Sequence, residues 1–131
     1  MVAQETYPAL PGFKNDGSFD QYMFDHPVFQ AWARTGEASA GRTSDFYSNR
    51  EWHRFGLYQA VYKQWGCEDS LAVGLPAPAG LIACICSERD KNFSDRERLL
   101  MDLVRPHLAQ AYRSAELFPC SAVPTRAECK P

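Results

Sequence analysis

The sequence predicts an α+β fold, and three observations carry that reading. Two capping boxes, Ser48-Asn49-Arg50-Glu51 and Ser94-Asp95-Arg96-Glu97, each open a run with apolar residues at helical spacing. Between the two helical runs, Leu71, Val73 and Leu75 alternate with Ala72 and Gly74, and a second apolar run covers Leu81 to Cys86. The intervening Ala77-Pro78-Ala79-Gly80 has turn chemistry, with Pro presetting φ and Gly suited to the last position, so the pair reads as a β-hairpin.

Each element follows from its own residues. Residues 1–17 are rich in Pro, Gly, Asn and Asp and carry no sustained period, which predicts an arm or a short strand. Helical spacing begins at Ser18 with Phe19, Tyr22 and Met23. Asp25-His26-Pro27 then offers a capping Asp and a Pro in the first turn of a segment carrying Val28, Phe29 and Trp32, with Gly36 as its left-handed stop. From Ser48 a helix is expected in which Trp52, Phe55, Tyr58, Tyr62 and Trp65 lie on or near one face, closed by Gly66. Gly56 inside it costs about 1 kcal/mol relative to Ala, so it marks a close approach by another backbone.

Period two puts Ile82, Cys84 and Cys86 on one face of the second strand and Leu81, Ala83 and Ile85 on the other. A strand apolar on both faces is expected at the centre of a sheet. In the last helix Leu100, Leu103, Val104, Leu108, Ala111 and Ala115 form the stripe expected to be buried. Pro106 removes the donor for the Asp102 carbonyl and should bend the helix, and His107 borders the stripe beside that bend. The expected division is an arm at 1–17, one domain at 18–118 and a flexible tail at 119–131.

Composition bounds the function. At 131 residues, with 45% hydrophobic residues, the chain suits one domain. A net charge of −2 supplies no global positive field for phosphate backbones, which argues against direct nucleic-acid binding. The N-terminus has no basic start followed by an apolar core, and no run approaches the ~18 apolar residues a membrane span needs. A cytoplasmic protein is expected. The five cysteines, Cys67, Cys84, Cys86, Cys120 and Cys129, are odd in number and lack CxxC pairing, so no disulfide framework is read. Cys84 and Cys86 read first as small buried hydrophobes, and Cys120 and Cys129 as exposed tail thiols.

With these residues in view, the stretch from about His26 to Glu116 resembles the end of the GAF-like sensor domain that precedes the helix-turn-helix in some LuxR-type transcriptional regulators. The resemblance is carried by Asp25-His26-Pro27, Ser44-Asp45-Phe46, Arg50-Glu51-Trp52 with Leu57-Tyr58, Asn92 to Arg98, and Leu103 to Tyr112. It implies an antiparallel sheet flanked by helices, with room for a small-molecule pocket between them. Two departures are expected: truncation on the N-terminal side, and no DNA-binding module after Phe118. Where the family tends to carry an Arg near the end of the second strand, this chain reads Ser87-Glu88-Arg89-Asp90.

A hairpin alone is marginal in water, so residues 1–12 or 38–43 should add a strand, or the open edge should pair with a second copy. The expected partners are therefore a small-molecule ligand and either a second copy or a full-length regulator of the same kind, with no direct nucleic acid and no membrane. The expected function is a small-molecule sensing or protein-interaction module acting through a partner. Its candidate ligand-binding residues are Trp52, Phe55, Tyr58, Tyr62, Trp65, Cys84, Cys86 and His107. An aromatic stripe is also what an ordinary core looks like, and a His beside an apolar stripe is also what a hydrogen-bonded structural residue looks like. The alternative is a small enzyme or a metal- or thiol-dependent protein in which His107 completes a site begun by Cys84 and Cys86. No catalytic motif and no cofactor is named by the sequence, and a remnant sensor domain that merely stabilises a partner is the plainest reading.

Overall fold

The computed structural model describes residues 18–78 and 81–117. The expected N-terminal arm, half of the hairpin turn, and the tail with Cys120 and Cys129 lie outside the described residues. Helices accompany a three-stranded antiparallel sheet, so the fold is α+β. Among the described residues no helix is long and apolar enough to cross a membrane.

The chain begins with α1 (Ser18–Tyr22), a 3₁₀ turn at Met23–Asp25, and α2 (Pro27–Thr35). Asp25 does not cap α2. Pro27 occupies the first helical position, so the cap falls to the residue just before it, and His26 accepts the Val28 N–H on its Nδ1 at 3.3 Å. Gly36 ends α2 at φ 75° as expected. The indole of Trp32 donates to the Ser39 carbonyl at 2.8 Å, and the chain returns to the sheet as β1 (Gly41–Arg42).

The 48–66 segment is not one helix. The Ser48 capping box forms, with Ser48 N–H to Glu51 at 3.1 Å and Glu51 N–H to Ser48 Oγ at 3.2 Å, but α3 spans only Asn49–Trp52. The backbone then tightens, since Arg54 and Phe55 bond three residues back to Glu51 and Trp52, and Gln59 takes the freed His53 carbonyl at 2.6 Å. Gly56 sits at this break against the Tyr22 ring, where a Cβ would stand 2.8 Å from Tyr22 Cε1. The close approach is therefore by an aromatic side chain and not by a backbone. Helical geometry resumes as a π-helical turn at Tyr58–Tyr62 and a 3₁₀ turn at Lys63–Trp65, and Gly66 closes the segment at φ 66°.

The hairpin forms from β2 (Asp69–Leu75) and β3 (Ala83–Arg89), paired from Asp69↔Arg89 to Leu75↔Ala83. The expected placement of its strands is reversed. Gly41 and Arg42 pair with Ala72 and Leu71, so β2 is the central, buried strand and β3 is the edge among the described residues. The third strand arrives on the β2 side, at 38–43, and β3 keeps an open flank with Ile85 and Cys86 exposed. Gly74 is required by this arrival: its N–H bonds the Ala38 carbonyl at 2.9 Å, and a Cβ on it would lie 2.1 Å from Ala38 Cβ.

After the second capping box, with Ser94 N–H to Glu97 at 3.0 Å and Glu97 N–H to Ser94 Oγ at 3.1 Å, α4 runs from Asp95 to Leu117 with Pro106 inside it. The helix packs chiefly on β2, where Met101 and Leu108 join Ala40, Leu71, Val73 and Phe93 in one core cluster. The stripe expected to be buried is largely bare: Leu100 is 49% exposed, Leu103 62% and Val104 43%. Ala111 and Ala115 are exposed too. The helix is rotated so that Arg98, Met101, Asp102, Arg105 and Leu108 meet the sheet and the turns beside it, because polar contacts set its rotation.

Candidate functional site

The sheet has two unlike faces, and strand alternation assigns the residues to them. Leu71 and Val73 point to α4. Ser70, Ala72 and Gly74 point the other way, and their register partners are Glu88, Cys86 and Cys84. That second face meets the aromatic segment: Trp52, Leu57, Tyr58 and Tyr62 form a buried cluster joined by Phe19, Tyr22, Phe55, Val61 and Cys67.

Of the residues singled out by sequence, Trp52, Phe55, Tyr58 and Tyr62 thus come together. Ring centroids of Trp52 lie 5.2 Å from Phe55, 6.1 Å from Tyr58 and 5.7 Å from Tyr62, with His26 stacked on Phe29 alongside at 4.4 Å. Trp52 is 1% exposed, and these rings fill the space behind it with one another. Trp65 lies half-buried at the end of the segment, where its carbonyl accepts from Cys67 Sγ at 3.8 Å. Cys84 and Cys86 stand on β3 towards Tyr62, their sulfurs 3.7 Å apart. His107 is exposed on α4, which packs on the opposite face of the sheet, so the sheet separates it from both cysteines. Among the described residues no three His, Cys, Asp or Glu side chains are placed to share a metal ion.

Polar groups on the aromatic face are strongly perturbed. Glu88 Oε1 accepts from Ser70 Oγ at 2.9 Å, and the Tyr62 phenol lies beside the same carboxyl. Burial, helped by the nearby charge of Asp69, pushes its carboxyl up to about 8. The Tyr62 phenol is raised well above its ordinary range by burial and then by Glu88. Cys67 is pushed up to about 11 by burial and by the charges of Glu88, Asp90 and Glu68, which makes it a poor nucleophile. The hydrogen bond between the strand cysteines lowers Cys84 and raises Cys86 well above the usual thiol range. Separately, His53 pairs through Nε2 with Glu68, whose other oxygen accepts from Tyr58 at 3.4 Å, and the imidazole stacks on that tyrosine at 4.4 Å. No hydroxyl or thiol bonds this imidazole among the described residues.

Sequence reasoning missed Glu88 and also Asp69. Asp69 is 1% exposed and accepts from Ser44 N–H at 3.0 Å, Ser44 Oγ at 2.7 Å, Ser70 N–H at 3.0 Å and Phe93 N–H at 2.9 Å. It thereby joins the 3₁₀ turn at Thr43–Asp45, the start of β2 and the entry to α4. A charged residue directly before an apolar run was the only signal, and it is shared by many solvated strand ends.

On the other face, an open groove of roughly 460 Å³ runs between the end of β2 and α4, lined by Gly74, Leu75, Pro76, Arg105, Pro106, Ala109 and Arg113. Its size is that of a small-molecule site. Arg105 Nε donates to the Gly74 carbonyl at 3.3 Å, and neither Arg105 nor Arg113 has an acidic partner among the described residues. Arg42, Arg89 and Arg98, by contrast, all pair with carboxylates. None of the lining residues was among those the sequence suggested.

Compared with family models, with curated proteins and with solved structures, the chain matches none. The GAF-like reading therefore rests on the residues of the sequence alone.

Stability should depend on pH in opposite senses through two buried groups. Glu88 has an ordinary value of 4.5 and a folded value of about 8, so its contribution is full below pH 4.5 and is lost as pH rises through 8. Burial lowers His26 from 6.5 to about 4, so its contribution is full above pH 6.5 and is lost as pH falls through 4. In urea unfolding followed from pH 5 to 9, Glu88→Gln should abolish the loss of stability on the alkaline side and leave the acid side as it is. Parallel curves for variant and wild type would show that Glu88 does not carry the effect.

Proposed function

We propose that this chain is a GAF-like sensing and interaction module that acts through a partner protein and not by contacting DNA itself. The observation that supports it best is the exposed stripe on α4. Leu100, Leu103, Val104, Ala111 and Ala115 recur at helical spacing, which is the pattern of a covered face, yet none of the described residues covers it. Leu99, exposed beside it, widens the patch. The partner that fits this stripe is α4 of a second copy, packed antiparallel about a two-fold axis, because a stripe that repeats along one helix is complementary to itself. The net charge of −2 supports the exclusion of direct DNA contact.

Light scattering on the eluting protein at micromolar concentration should give twice 14.8 kDa. Leu103→Glu places a charge in the stripe without touching the monomer core, and should weaken association about tenfold or more with an unchanged far-ultraviolet spectrum. A wild-type monomer across that range, or a Leu103→Glu protein that associates as well as wild type, would refute the docking surface.

The sensing part of the reading is supported by the groove beside Arg105. Two guanidinium groups without carboxylate partners among the described residues, set against Pro76, Pro106 and Ala109, suit a small organic anion with an apolar body. A panel of small carboxylates and phosphate esters should contain members that raise the melting temperature, and Arg105→Gln should remove that rise. A panel without effect on the wild-type protein would count against the groove as an input site.

A further inference from the structure

Cys84 and Cys86 stand on one face of β3 with their sulfurs 3.7 Å apart. That separation is well beyond the ~2.05 Å of a disulfide. Residues i and i+2 of an extended strand stand ~6.6–6.8 Å apart at Cα, the outer limit for a disulfide, so the strand holds the pair as a dithiol. Across β2 their partners are Gly74 and Ala72, so no bulky side chain from that strand stands directly opposite the sulfurs. On the other flank β3 has no neighbouring strand among the described residues, and Cys86 is exposed and Cys84 partly so.

We propose that Cys84 and Cys86 form a two-sulfur binding site for a soft, thiophilic monovalent cation of the Cu(I) class. The number of ligands selects the ion. No third His, Cys, Asp or Glu converges on the pair among the described residues. Structural zinc takes four ligands, and iron–sulfur clusters take four cysteine thiolates. Soft thiolate ligands select Cu(I), for which two sulfurs suffice. His107 lies across the sheet and takes no part. Binding replaces two S–H bonds by two S–Cu bonds, releases two protons to solvent and leaves the oxidation state unchanged, so the neutral dithiol becomes a site with one negative charge.

The test is an anaerobic titration of the reduced full-length protein with Cu(I) against a chromogenic Cu(I) chelator, with X-ray absorption of the loaded protein. One Cu(I) per chain should bind, with two sulfur neighbours and no nitrogen in its first shell. Binding should persist when Cys120 and Cys129 are both replaced by Ser, and should be lost in Cys84→Ser and in Cys86→Ser, whose folding is checked by circular dichroism. Cys86→Ser changes an exposed side chain, and the absorption spectrum of the wild-type protein reads the ligands without any substitution. Binding that survives replacement of both strand cysteines, that disappears with the tail cysteines, or that shows nitrogen in the shell would overturn the site, as would a wild-type protein that binds no Cu(I).

Discussion

The buried carboxylate of Asp69 is the constraint on which the rest of the structure depends. Its two oxygens satisfy donors from the turn after β1, from β2 and from the residue that leads into α4. Without them, the Phe93 and Ser70 amides would be buried unbonded, at about 1–3 kcal/mol each. Around this hub the first half of α4 is tied down by charge. Arg42 reaches the Phe93 carbonyl at 2.8 Å and Asp95 at 2.7 Å, Arg98 pairs with Asp45 at 2.7 Å, and Arg89 grips both oxygens of Glu97 at 2.6 and 2.8 Å while lying over the Phe93 ring. Arg89 holds the Glu97 carboxyl down at about 2. Solvent screens the outer ion pairs, so the buried Asp69 bonds weigh most in holding α4 in place.

The rotation of α4 has a consequence for function. Asp102 accepts the Ala40 N–H at 2.7 Å and Arg105 donates to the Gly74 carbonyl at 3.3 Å, so the side of α4 that meets the sheet is partly polar. Among the described residues of α4, Met101 and Leu108 join the apolar core beneath it. The leucine stripe stays exposed among the described residues. Meanwhile the opposite face of the sheet is sealed by packed aromatic rings, with the strand cysteines and Glu88 at its β3 margin. The thickness of the sheet therefore separates α4 and the groove beside Arg105 from the sulfur-bearing edge.

Local chemistry was legible in the sequence. Both capping boxes form, Gly36 and Gly66 adopt the left-handed stop, the hairpin pairs, and the aromatic residues from Trp52 to Tyr62 do converge. Long-range placement was not. Periodicity says which side chains are apolar and not what covers them, so the stripe on α4 was read as buried and β3 as central. At the break after Trp52 the Tyr22 ring, far away in the sequence, lies against Gly56. The polar groups of greatest consequence escaped for the same reason: Ser70 finds Glu88, and Asp69 finds Ser44 and Phe93, at separations of 18, 25 and 24 residues that no local pattern encodes.

Native-state hydrogen exchange on dilute protein, resolved at the Phe93 amide and along α4, is the most direct measurement of whether polar anchoring or apolar packing holds this helix. With Leu100, Leu103 and Val104 all changed to Ser, the α4 amides should keep their wild-type protection. With Asp69→Ala, protection should collapse at Phe93 and through the first turns of α4. The reverse pattern, in which the serine variant releases α4 and Asp69→Ala leaves it protected, would contradict the account.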